Sequence, residues 1–291
     1  MRHEVLSVPV EGGGLAVHRW AGAPGAPVVV ALHGLTANGL SWAPVAAALD
    51  GAVTLLAPDL RGRACSSSLP GPYGLAAHAR DVSALVKWAG GVPLVLAGHS
   101  MGAFVAAVTA ARHPDAARSV VLVDGGLPVP VPRGQDAEGM SEALVGPAVR
   151  RLSAEFASRE QYRGFWRAHP AFDGYWSDAV EEYLQHDLAG EEPRLRSSCA
   201  EEAVRADGAD VMLGSEAAGA AGRLVCPAEL LWAPRGFMDQ PGGLYDEEYL
   251  RAVSGDFPAA ARLVPDTNHY SILTGEQGAR AVARRLLARA L

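Results

Sequence analysis

The chain has 291 residues, 49% hydrophobic and 20% charged, which is ample apolar material for a buried core and excludes an intrinsically disordered chain. A net charge of −7 argues against a nucleic-acid partner, which calls for a basic face. No run of about 18 apolar residues is present to cross a membrane.

The length suits one large domain, or a domain with an insertion. After Met1-Arg2-His3-Glu4 no apolar signal-peptide region follows. Cys65, Cys199 and Cys226 are odd in number and widely spaced, with no Cys-x-x-Cys, so neither a disulfide framework nor a zinc site is expected. A reducing, cytoplasmic setting is the expectation. Lys87 is the sole lysine, so any Schiff-base chemistry would depend on it alone.

In chain order, residues 4–10 and 14–20 flank Gly12-Gly13-Gly14 and predict an antiparallel hairpin. Four short apolar runs, at 27–32, 53–57, 93–97 and 119–123, predict fully buried strands of a parallel sheet. Helical patterns lie between them, at 75–89 with Leu75, Val82, Leu85 and Val86 on one stripe, and at 101–112 ending before His113-Pro114. Such alternation implies right-handed crossovers. From 128 to 222 no strand-like run is evident. That stretch opens with Pro128, Pro130 and Pro132 and is helical in texture and rich in aromatics, among them Phe156, Tyr162, Phe165, Trp166, Phe172, Tyr175, Trp176 and Tyr183. These aromatics either pack a small core of their own or line an apolar pocket under a lid. Strand patterns return at 228–232 and 261–264, with a last helix near 275–290. The expected layout is therefore a core of residues 1–127 and 223–291 with a helical cap over 128–222.

Gly98-His99-Ser100-Met101-Gly102 follows a buried strand and opens a helix, the context of a Gly-x-Ser-x-Gly nucleophile elbow. The turn strains Ser100 and requires small residues two positions to either side. It exposes the hydroxyl at the positive end of a helix. The Met101 N–H is then one oxyanion donor, and the Leu35 N–H, in His33-Gly34-Leu35-Thr36 after the first parallel strand, is the second. His33 reads as a hydrogen-bonding residue of that loop. The base must follow the serine in this architecture. His3, His18, His33, His78 and His99 come too early or adjoin it, His113 ends the elbow helix, and His169 and His186 fall in the insertion. His269, between the last strand and the last helix, is left. Its acid partner is open between three aspartates: Asp239, favoured for its place after the penultimate strand, Asp124 at the end of the strand after the elbow, and Asp266.

The residues His33-Gly34, Asp59-Leu60-Arg61-Gly62, Gly98-His99-Ser100-Met101-Gly102, His113-Pro114 and His269 together resemble the α/β-hydrolase superfamily, and most of all its capped serine esterase and C–C hydrolase branch. The resemblance spans nearly the whole chain. It implies a mostly parallel sheet flanked by helices with an inserted helical cap, Ser100 as nucleophile, His269 as base, and Leu35 and Met101 as oxyanion donors. Serine at position 100 sets the chain apart from branches that use aspartate there. Asp59 and Arg61 fall in a loop that is usually structural in the family. Two departures stand out: Arg63-Ala64-Cys65 in place of a further glycine, and an extended loop at Pro234-Arg235-Gly236. The resemblance implies hydrolysis of an ester, thioester or related acyl bond of a small-molecule substrate through an acyl-enzyme, with no metal or organic cofactor required. C–C bond hydrolysis, a biosynthetic thioesterase, or a ligand-binding protein on the same scaffold are its alternatives. The cap aromatics and the lack of a concentrated basic patch point to a small, uncharged or largely apolar acyl group.

Overall fold

The computed structural model describes residues 2–130, 146, 149–255, 257 and 260–291. Ten strands are found among them: β1 (Arg2–Val10), β2 (Gly13–Ala21), β3 (Val28–Leu32), β4 (Thr54–Pro58), β5 (Leu94–His99), β6 (Ala117–Val123), β7 (Leu188–Glu191), β8 (Arg194–Ser197), β9 (Ala228–Trp232) and β10 (Ala260–Leu263). Eight form one sheet in the order β1-β2-β4-β3-β5-β6-β9-β10. The β1–β2 hairpin joins β4 antiparallel, and from β4 to β10 every pairing is parallel. Gly12 and Gly13 make the hairpin turn at φ 88° and 154°, a region other residues rarely adopt.

Both faces of the sheet are covered, which is why its strands read as unbroken apolar runs. Along β3, Val30 and Leu32 point into one core, and Val29 and Ala31 into the other. The first core is completed by helix Leu75–Trp88 through Leu75, Val82 and Leu85, and by helix Met101–Arg112 through Phe104, Val105 and Val108. The second is completed by Val45 and Leu49 of helix Ala43–Leu49 and by Val282 and Leu286 of helix Glu276–Ala290. Among the described residues, no helix is long and apolar enough to cross a membrane.

Between β6 and β9 lie helices Arg159–Arg167, Asp178–Gln185, Glu201–Leu213 and Ser215–Ala220. The expectation of a purely helical insertion is corrected here, because β7 and β8 form a hairpin of four-residue strands. Each carries too few apolar residues to read as a buried run in the sequence. Pro132, and residues 131–145 of the expected cap generally, lie outside the described residues. The aromatics divide by side. Phe156, Tyr162 and Phe172 are buried with edge-on ring contacts, while Phe165, Trp166 and Tyr183 line a cavity.

Candidate active site

The cavity opens at the carboxyl end of the parallel strands, where ligands enter sheets of this kind. It has a volume of about 520 Å³ and its wall includes Leu35, Ser100, Met101 and His269. Ser100 joins β5 to the elbow helix with φ 55° and ψ −123°, a conformation that costs energy for any residue bearing a side chain. Its amide donates to Val123 O at 3.0 Å, which ties the strained residue to β6. The flanking glycines are required for space. A Cβ at Gly98 would stand 2.0 Å from Gly102 O, one at Gly102 2.2 Å from Leu32 O, and one at Gly125 2.3 Å from Ser100 O. At Gly34 a Cβ would sit 3.3 Å from the Ser100 Cβ, so the missing side chain leaves room beside the hydroxyl.

His269 is buried, and its Nδ1 lies 2.7 Å from Asp124 Oδ2. Asp124 is fully buried at the end of β6, in a left-handed conformation (φ 45°), and its other oxygen accepts the Ala233 N–H at 3.1 Å. The preference for Asp239 as partner of His269 is thereby corrected. Asp239 instead accepts from Asn268 Nδ2 at 2.8 Å and pairs with Arg235 at 2.8 Å. The extended loop carries its carboxylate to the residue beside His269 and leaves the imidazole to Asp124. Asp266 turns at φ 56° and presents its backbone carbonyl to Tyr175.

Among the described residues neither the Leu35 nor the Met101 amide finds an acceptor, and both residues face the cavity. Met101 opens its helix, so its N–H has no intrahelical partner. His33 holds the neighbouring loop: its Nε2 accepts the Leu60 N–H and its Nδ1 donates to Gly34 O, both at 2.8 Å. Burial pushes its pKa down to about 3, so the ring stays neutral in this role. Lys87 is exposed on helix Leu75–Trp88 and does not line the cavity.

Sequence reasoning missed four contributors. His99 Nε2 donates to the His269 backbone carbonyl at 2.7 Å, and burial followed by the nearby His269 ring keeps it well below the usual histidine range. Phe237 lies with its ring 4.0 Å from that of His269. Arg63, fully buried, donates to Leu35 O at 3.0 Å and reaches Met101 Sδ at 3.9 Å, and it is ion-paired to Asp207 of the insertion. Arg151 lines the cavity from a helical turn at 149–152. Arg63 was visible as a departure from the family pattern. The other three depend on folding of distant segments.

Among the described residues, one group has donor atoms as close as metal ligands: His18, Asp59 and His186, within 4.8 Å of one another. Hydrogen bonds account for it. Asp59 Oδ1 faces His18 Nε2 at 3.3 Å and accepts from Gly39 N at 2.8 Å, while Oδ2 faces His186 Nε2 at 3.0 Å and accepts from Cys65 N at 3.1 Å. None of the three lines the cavity.

A mostly parallel sheet with helices on both faces, a serine on a strained strand-to-helix turn at its carboxyl edge and a histidine held by a buried aspartate are features of the α/β-hydrolase architecture. The chain matches the alpha/beta hydrolase fold family over residues 27–276 and belongs to it. A 2-(acetamidomethylene)succinate hydrolase of Mesorhizobium japonicum is 33% identical over 98 residues, which is 34% of this chain and 35% of that one. The curated relatives are matched over 29–41% of their length. Among solved structures, E-2-(acetamidomethylene)succinate hydrolase superposes with a TM-score of 0.79 at 21% identity, covering 97% of this chain and 98% of that one. A thioesterase domain from the curacin biosynthetic pathway gives 0.75 at 20% identity, covering 99% and 100%. At these identities the superpositions establish the fold.

Proposed function

We propose that the protein is a serine hydrolase that cleaves an acyl bond through an acyl-enzyme. Ser100 attacks the acyl carbon as His269 Nε2 takes its proton. Asp124 holds the Nδ1–H, fixing the tautomer and balancing the imidazolium charge. The Leu35 and Met101 amides take the oxyanion. His269 then protonates the leaving group, and water repeats the sequence on the acyl-enzyme. Residues 128–222 act as the cap, with Phe165, Trp166 and Tyr183 shaping the substrate pocket. Each step uses groups of this chain and water.

The observation that carries this reading is the 2.7 Å contact between His269 Nδ1 and a carboxylate with no exposed surface, in a loop that shares the cavity wall with Ser100. The test is turnover of p-nitrophenyl acetate and butyrate. Ser100→Ala and His269→Ala should abolish it, and wild-type-like rates in Ser100→Ala would sink the proposal.

A second reading keeps this machinery and changes the bond. By their names, the relatives act on 2-(acetamidomethylene)succinate and on a thioester of curacin biosynthesis. An amide, thioester or C–C substrate therefore belongs in the same panel as the esters.

A further inference from the structure

The cavity wall is largely apolar, yet it contains one full charge. Among the described lining residues there is no aspartate, glutamate or lysine, and Arg151 is the only arginine. Its side chain is 9% exposed. A single nitrogen, Nη1, meets Asp187 Oδ2, at 3.2 Å. That carboxylate is already well supplied with donors, from Tyr162 Oη at 2.9 Å, Ser197 Oγ at 2.8 Å and Ser198 Oγ at 3.2 Å. Arg151 Nη2 is buried and has no acceptor among the described residues. The guanidinium also lies over the Trp166 ring, 5.1 Å from its centre, and Trp166 faces the same cavity. Burial alone would lower the Arg151 pKa, but Asp187 holds it raised, so the cation persists.

A buried guanidinium with one unpaired edge is costly unless something fills that edge. Carboxylate oxygens match the fork in geometry and charge, and apolar walls strengthen the attraction. We propose that the substrate carries a carboxylate, bound by Arg151, on an otherwise apolar frame. This rests on the serine hydrolase reading and departs from the uncharged acyl group that composition suggested. A basic patch is the sequence signal for an anionic substrate, and a single buried arginine produces none.

The test compares p-nitrophenyl hemiglutarate with its neutral counterpart, p-nitrophenyl valerate. The wild type should favour the anionic ester in kcat/KM by at least about tenfold. The preference should vanish in Arg151→Met and return in part in Arg151→Lys. The ratio is read within one preparation, so partial loss of folded protein cancels. A wild type with no preference, or a preference unchanged in Arg151→Met, overturns the proposal. Two further measurements separate the readings. Fluorophosphonate labelling of wild-type Ser100 reports the nucleophile alone. Calorimetric binding of glutarate to the wild type, lost in Arg151→Met, reports the anion site without any turnover. If labelling fails while glutarate binds, the hydrolase reading fails and the anion site stands. If Ser100 is labelled but neither glutarate binding nor anionic preference is seen, the reverse holds.

Discussion

In the proposed reaction His269 serves Ser100 best with its second nitrogen held, and Asp124 lies 2.7 Å from that nitrogen inside the protein. The carboxylate sits at the end of a central strand, has no exposed surface and spends its other oxygen on the Ala233 amide. Asp239, half-buried in the loop after β9, binds Asn268 and Arg235 instead. Asp124→Asn should therefore lower turnover by roughly 10⁴, because an amide favours the wrong histidine tautomer. Asp239→Asn should cost far less, and ester kinetics on the two variants decide between them. Gly125 gives a second expectation at this scale. A Cβ there would lie 2.3 Å from Ser100 O and 2.8 Å from its carbonyl carbon, so Gly125→Ala must shift the elbow. We expect destabilisation of about 1–3 kcal/mol with a larger loss of turnover, measured by urea unfolding and by kcat.

At the scale of elements, two buried ionic clusters tie the inserted segment to the core. Arg63 links the Leu35 loop and the elbow helix to Asp207, which also pairs with His78 at 2.9 Å. Burial opposes the Asp207 charge, and His78 and Arg63 outweigh it, leaving the carboxyl well below its usual range. Arg63→Met would leave that buried carboxylate with only His78 and the Gly74 amide, with an expected loss of about 3–5 kcal/mol in chemical denaturation. It would also free the Leu35 carbonyl and lower kcat by up to about 100-fold. In the second cluster His186, just after helix Asp178–Gln185, pairs with Asp59 of the core. Burial alone would lower the His186 pKa, but the hydrogen bond and charge of Asp59 raise it above the ordinary 6.5. The group is raised on folding, so its stabilisation is complete below about pH 6.5 and is lost as pH rises through the higher folded value. Urea midpoints should therefore fall as pH is raised above 6.5, and His186→Asn should flatten that part of the profile.

Over the whole molecule, two apolar layers on either side of one sheet position everything else. Leu286, fully buried on the last helix, belongs to the second layer. Leu286→Ala should cost about 2–5 kcal/mol in thermal or chemical unfolding, without changing the ratio of anionic to neutral ester turnover. The sheet was legible because strands buried on both faces leave apolar runs: 228–232 coincides with β9, and 119–123 falls within β6. Ser100 and the two loops beside it were legible because backbone strain and close approach demand glycine at fixed offsets. The aspartate was not, since Asp124 and Asp239 both follow core strands and only the path of the Pro234–Gly236 loop separates them. The β7–β8 hairpin escaped because strands of four residues are too short to register, and Leu195 is the sole apolar residue of β8. Arg151 escaped for a different reason: one arginine among many becomes distinctive only when folding buries it.

The central claim is that Ser100 is a nucleophile activated by a buried imidazole, and covalent labelling tests it most directly. Treatment with a fluorophosphonate followed by peptide mass mapping should give one adduct, on Ser100, and the adduct should fall to trace levels in His269→Ala. An unlabelled wild type, an adduct on another residue, or undiminished labelling of Ser100 in His269→Ala would contradict the account.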